Sequence, residues 1–283
     1  MSTKKRSPVL LASIGVSACL VAGLVLLFDL KTKHQVTAVS IMPNATLVAR
    51  TDVPLTRPTM QLLVENGNPS SSFLRQLAAV TLPKPVDCTV EACIALSFDD
   101  GPDPVSTPVI LNALAKEKVK ATFFLVGARV APGASLVLRM YVDGHDIGNH
   151  SWAHPSFGRL NQDQIHQQID QTQAVIASIG VPAPTMFRAP YGVINAAVLS
   201  HVNLPVIMWN VDPKDWHEKD PNKIAEIVVA QAKQGAIILL HDKLATAIAV
   251  EQIVQNLKSR FHLVTVTEML HITPEMRGVF RGL

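Results

Sequence analysis

Asp99 and Asp100 stand side by side in SFDDGP, after the apolar run CIALSF and before the chain-breaking Gly101-Pro102. Two adjacent anions at the end of an apolar segment repel each other and resist burial, so a turn or a counter-charge must hold them. Further on, His150 and His154 lie four apart in HSWAH, which on one helical turn sets both imidazoles facing the same way. Two histidines and a carboxylate make a catalytic zinc set with positions left open for water or substrate. One aspartate would bind the cation, whose charge relieves the repulsion. The other could then take a proton from water that the cation has acidified. Hydrolysis at a carbonyl also needs an acid for the leaving group, and His241 in LLHD is the candidate. Arg188 in FRAPYG would orient the base carboxylate, and Asp215 in DPKDW would hold the His241 ring in its donating form. Taken singly, an Asp-Gly-Pro turn or a histidine pair on a surface helix is ordinary. Together they describe a metal-assisted hydrolase.

The elements that must position these residues are short apolar runs alternating with longer helical patterns from about residue 93. The runs are CIALSF, ATFFLVG, DIGNH, TMFRAP, PVIMWNV, GAIILLHD and HLVTVTEML. Between them, Thr107-Pro108 reads as an N-cap and first-turn proline. Residues 160–180 place Ile165, Ile169, Ile176 and Ile179 near one face and close on Gly180. Asp220-Pro221 opens a further helix, with Gly235 as its stop. The spacing predicts a distorted (β/α) barrel of about seven parallel strands, with an open doubly wound sheet as the alternative. In either fold the polar residues arrive at one rim, at the C-terminal ends of the strands. His145 reads as a packed histidine and His217 as a rim residue. Trp152 and Trp209 serve equally as core or as sugar platforms.

Residues 1–33 carry a balance of +4, so the remainder of the +3 chain sums to −1. That excludes the basic footprint of a nucleic-acid binder. Val9 to Phe28 are twenty uncharged residues behind Lys4, Lys5 and Arg6. This predicts a single-pass membrane anchor with the body outside the cell. A cleaved signal peptide, or a lipoprotein with its lipid on Cys19, is the alternative. The expected organisation is a basic tip and anchor over 1–33, a proline-punctuated stalk or prefix over 34–92, a catalytic domain over 93–271 and a tail over 272–283. In an exported body, Cys88 and Cys93 predict a small disulfide loop. Zinc binding is the poorer reading, since no further Cys or His lies near.

SFDDGP, HSWAH, RAPYG, DPKDW and LLHD, in this order, resemble the five motifs of the polysaccharide deacetylases, the NodB-homology group or carbohydrate esterase family 4. The likeness covers about residues 93–271, with Ser97 where threonine is common. It implies removal of acetyl groups from N-acetylated sugars of a polymer, with Zn²⁺, or Co²⁺ or another divalent ion. By resemblance, Asp99 matches the general base, and Asp100, His150 and His154 match the metal ligands. Arg188 matches the orienting residue and His241 the acid, with Asp215 supporting it. The Tyr191 N–H would help hold the oxyanion, Trp216 would form a groove wall and Leu239 would line the acetyl pocket. A monomer acting on cell-wall peptidoglycan N-acetylglucosamine is the expectation. Chitin oligosaccharides, O-acetyl esters such as those of xylan, and a catalytically silent wall-binding module are the alternatives. A two-His-one-carboxylate Fe(II) oxygenase is a poorer fit, because helical spacers argue against an all-β scaffold.

Overall fold

The computed structural model describes residues 86–283 and, of the preceding chain, only the backbone of a few short strands. The chain divides into two compact units, Met1–Lys84 and Pro85–Leu283. In the first, Leu24–Leu27 pairs antiparallel with Thr37–Met42, which pairs antiparallel with Ala45–Val48. Val64–Glu65 pairs with Asn68–Pro69. Apart from Leu24–Leu27, which form a strand, the anchor expected over 9–28 lies outside the described residues, as does most of the stalk. Among the described residues no helix is long and apolar enough to cross a membrane.

The second unit runs β1 (Cys93–Gly101), α1 (Ser106–Glu117), β2 (Thr122–Leu125), α2 (Gly127–Val130), α3 (Ala134–Val142) and β3 (Asp146–Asn149). It continues α4 (Gln162–Ser178), α5 (Ala196–Leu199), β4 (Val206–Ile207), α6 (Pro221–Gln231) and β5 (Ala236–His241). α7 (Leu244–Leu257), β6 (His262–Val264), α8 (Val266–Leu270) and β7 (Val279–Phe280) complete it. β1 is central. One edge pairs in parallel with β5, from Ala236↔Ile94 to His241↔Asp99. The other edge meets β6 near its start and β2 from Ser97 onward. β2 pairs with β3, and single parallel bridges carry the order on through Asn149↔Phe187 and Phe187↔Val206. Val211↔Ile238 then returns to β5, so the parallel pairings form an α/β barrel-like ring. The TMFRAP run contributes two single bridges, both at Phe187, rather than a strand, since Pro184 before it and Pro190 at its end cannot donate to a ladder.

The two-residue alternation of β1 decides what the ring encloses. Ile94, Leu96 and Phe98 face outward into the core formed with α1, α6 and α7. Cys93 and Ala95 face inward, onto a floor shared with Phe124, Met186, Ile237 and Val264. The same alternation turns Ser97 and Asp99 inward above that floor. A disulfide joins Cys88 to the fully buried Cys93, tying the segment before β1 to the floor.

Local signals explain the helices. Asn161 and Gln164 form a reciprocal capping box at the start of α4, and Asp220 caps α6 through the Asn222 N–H. Ile165, Ile169 and Ile176 are buried as the periodicity requires, and Gly180 follows α4 at φ +85°. Two expectations differ. α1 begins at Ser106 rather than behind a Thr107 cap, because the Thr107 hydroxyl is taken by Asp242. HLVTVTEML splits into β6 and α8, because Thr265 and Glu268 form a capping box that starts a helix.

Candidate active site

Asp99 and Asp100 lie at the end of β1 and share His150, whose Nε2 is 3.6 Å from each, but only Asp99 meets Arg188 and only Asp100 lies within 3.2 Å of His154. Asp100 has φ +73°, a left-handed conformation that turns its carboxylate away from the strand's continuation. The Arg129 guanidinium holds that turn by donating to the Asp100 carbonyl at 2.6 Å. Asp99 is buried and receives the Arg188 Nη1–H at 2.7 Å. Asp100 is half-buried and faces the two histidines.

Arg188 is the largest fully buried side chain described. Its remaining N–H groups donate to Ser97 Oγ at 2.9 Å and to the Ile207 and Met208 carbonyls at 3.0 and 3.2 Å. Phe124 lies under its plane at 4.0 Å from the ring centroid. Such a fork-shaped donor set fixes the Asp99 carboxylate in orientation as well as charge. Burial works to raise the Asp99 pKa, but Arg188 first, then His150 and His241, outweigh it and hold the carboxyl below its ordinary value. At neutral pH Asp99 is an anion with Oδ2 left to accept a proton.

His150 and His154 do not share a helical turn. Residues 150–156 are an irregular loop after β3, in which Ser151 and His154 take φ +69° and +56°. The histidines converge because that loop folds back at the rim. His150 Nδ1 donates to the Arg188 carbonyl, which can only accept, at 2.8 Å, so Nε2 is the nitrogen turned towards Asp100. That Nε2 is 3.6 Å from Asp100 Oδ1, and His154 Nε2 is 3.2 Å from the same oxygen. One ligand atom from each of Asp100, His150 and His154 lies within 4.8 Å of the others. A carboxylate oxygen and two imidazole nitrogens converging this closely, with one tautomer already fixed, fit a divalent cation.

Across the rim, His241 Nδ1 donates to Asp215 Oδ1 at 2.7 Å. Asp215 Oδ2 accepts the His241 backbone N–H at 2.7 Å and the Thr246 hydroxyl at 2.6 Å, and the carboxylate is fully buried. Burial works to lower the His241 pKa, but the bond to Asp215 and its charge, followed by Asp99 and Asp100, raise it above 6.5. The protonated form of His241 is thereby favoured, with Nε2 open to the rim. Asp215→Asn would remove the largest raising influence and leave burial, so the His241 pKa should fall. The alkaline limb of the kcat/KM profile should then move to lower pH, which a rate–pH series would measure.

Tyr191 sits at φ +59° after the Phe187 bridge, and its N–H makes no hydrogen bond among the described residues. Its exposed ring meets His154 edge-on at 4.6 Å between centroids. Trp216 is half exposed beside Asp215, as a wall residue would be. Leu239 is buried on the inward face of β5, level with Ser97. Trp209 packs near Arg188 at 5.7 Å, which makes it core rather than platform, and His145 is buried with burial pulling its pKa down to about 4. Ser97, Thr246 and Asp242 support the site, although the sequence assigns none of them a role in it. Ser97 was legible from period two, being one inward position below Asp99. Asp242 was not, because its partners Ser106 and Thr107 lie far off in sequence on α1. Its own N–H also donates to the Asp99 carbonyl at 2.8 Å, bracing β1 against β5.

Comparison with known proteins agrees with this geometry. Residues 87–204 match the family model described as polysaccharide deacetylase. The peptidoglycan-N-acetylmuramic acid deacetylase PdaC of Bacillus subtilis is 42% identical over 178 residues, which is 62% of this chain and 38% of that protein. A chitooligosaccharide deacetylase of Bradyrhizobium is 37% identical over 153 residues, or 53% of this chain and 70% of that one. The solved PdaC structure superposes with a TM-score of 0.64 at 40% identity, over 66% of this chain and 93% of that chain. A family 4 acetyl xylan esterase of Clostridium thermocellum, solved with cobalt, gives 0.64 at 35% identity over 68% and 98%. The chain spans less than half the length of PdaC and about half that of a Listeria monocytogenes peptidoglycan-N-acetylglucosamine deacetylase, at 38% and 49%. With the motif residues gathered at one rim and relatives matched this extensively, the chain belongs to the polysaccharide deacetylase family.

Proposed function

We propose that this chain is a metal-dependent hydrolase that removes the N-acetyl group from sugars of a polysaccharide, with peptidoglycan N-acetylglucosamine as its preferred substrate. One observation carries the reading. Adjacent carboxylates are split, Asp99 towards Arg188 and Asp100 towards two histidines, with a His–Asp pair opposite.

Asp100, His150 and His154 would hold a divalent ion, Zn²⁺ first and Co²⁺ as an alternative. When bound it would supply positive charge that polarises the acetyl carbonyl and acidifies a neighbouring water. Asp99, oriented by Arg188, would take the proton of the attacking water on Oδ2. The Tyr191 N–H would donate to the oxygen that gains charge as the carbonyl carbon becomes tetrahedral. His241 would then protonate the leaving sugar nitrogen from Nε2 while Asp215 holds Nδ1. Trp216 would stack on a sugar ring, and Leu239 would pack against the acetyl methyl.

The positive charges over residues 4–6 and the apolar stretch over 9–28 favour an exported, membrane-tethered enzyme, whose nearest polymer is the cell's own wall. Acetate release from a panel of glycans tests the function. Peptidoglycan strands should be deacetylated fastest, then chitin oligomers, with acetylated xylan slowest. Fastest release from xylan would replace the reading with an O-acetyl esterase, and no release from any glycan would favour a silent wall-binding module.

A further inference from the structure

Beside the metal-ligand set lies an open cleft of about 540 Å³, lined by His154, Pro155, Ser156, Arg159, Leu160 and Tyr191. It shares His154 and Tyr191 with the site, so whatever fills it sits next to the reacting acetyl group. Arg159 is its only cationic lining residue other than the titratable His154. Arg129, Arg139, Arg188, Arg260 and Arg277 each donate to a protein oxygen. Arg159, like the exposed Arg281 outside the cleft lining, makes no side-chain hydrogen bond or ion pair among the described residues. Its backbone is nonetheless fixed, in a short helical turn that donates from the Arg159 N–H to the Ser156 carbonyl at 3.1 Å. The fully buried Phe157 anchors that turn. An exposed guanidinium on a fixed backbone, left without a protein acceptor, suits a carboxylate, which it can bind in two parallel hydrogen bonds. Pro155 and Leu160 supply apolar surface for a sugar face, and Ser156 a hydroxyl.

We infer that this cleft is a subsite for a carboxylate-bearing sugar adjoining the acetylated one, and that Arg159 is the residue that selects an acidic glycan over a neutral one. The inference rests on the deacetylase reading and refines its substrate. A polymer whose alternate sugars bear a carboxylate would place that group beside the reacting sugar in every productive register. Chitin and xylan backbones offer Arg159 no such partner.

The test uses the full-length chain and two glycans of matched length, peptide-free peptidoglycan strands carrying lactyl carboxylates and chitin oligomers. Equilibrium binding and acetate release are both measured for the parent, Arg159→Ala and Arg159→Lys. Arg159→Ala should weaken binding to the acidic strand and raise its KM by about tenfold, with kcat kept and chitin binding unchanged. Arg159→Lys should recover part of the loss, and added salt should erode the parent's preference. Equal binding of the acidic strand by parent and Arg159→Ala would overturn the subsite. So would an equal loss on both glycans. Should neither glycan release acetate, the deacetylase reading fails, and the binding comparison still decides the subsite.

Discussion

Asp99→Asn is expected to lower kcat by about 10²–10⁴-fold, the range for a lost general acid or base, while the metal content stays that of the parent. Asparagine keeps an oxygen to accept the Arg188 Nη1–H, which lies 2.7 Å from the aspartate in the parent. What it lacks is the capacity to take a proton on Oδ2. The effect therefore belongs in kcat. KM should change little, since Trp216, Tyr191 and the cleft beyond them are untouched. Acetate-release kinetics with metal analysis on the same preparation would measure it. A fall in activity that follows a fall in metal would assign Asp99 to the cation instead.

The second large effect is on stability. Arg188 is fully buried, and its ion-pair partner is the buried Asp99. Breaking a buried pair by removing one member leaves an uncompensated charge and costs about 3–5 kcal/mol. Arg188→Met should therefore destabilise the catalytic unit by that order and abolish activity. The pH dependence identifies the cause. In the parent the Asp99 pKa is held below 3.8, so its contribution is present above that pH and is lost as acid protonates the carboxylate in the folded protein. With Arg188 gone, burial is the largest remaining influence and raises the Asp99 pKa. The deficit of Arg188→Met should then be greatest near neutrality and shrink as pH falls towards 5. Denaturant unfolding at several pH values would show it. A deficit independent of pH would point to lost packing on Phe124 rather than to a stranded charge.

The sequence carried much of this site because its chemistry follows the ends of strands. Asp99, Asp100 and His241 end strands that read as continuous apolar runs, so their level on the rim is readable before any register is known. β1 and β5 then pair His241 with Asp99 directly. The spacing of His150 and His154 marks them as a pair, but not for the reason it suggests. A left-handed loop, not a helical turn, brings them together, and local patterning has no signal for positive φ at serine or histidine. The Phe187 bridge was read as a full strand because its residues are strand-like, while the flanking prolines decide otherwise. Asp242 illustrates what local reading misses. It sits next to His241 in the chain, but its role comes from Ser106 and Thr107 hydroxyls that only the packing of α1 on β5 delivers.

In the proposed mechanism two neighbouring aspartates divide the work, Asp100 holding the cation and Asp99 taking the proton. The direct measurement is metal stoichiometry and acetate release on the parent, Asp99→Asn, Asp100→Ala and His150→Ala, each prepared identically. Asp99→Asn should hold the parent's metal and lose turnover, whereas Asp100→Ala and His150→Ala should lose metal and turnover together. Full stoichiometric metal in Asp100→Ala, with loss of metal from Asp99→Asn, would contradict this division of roles.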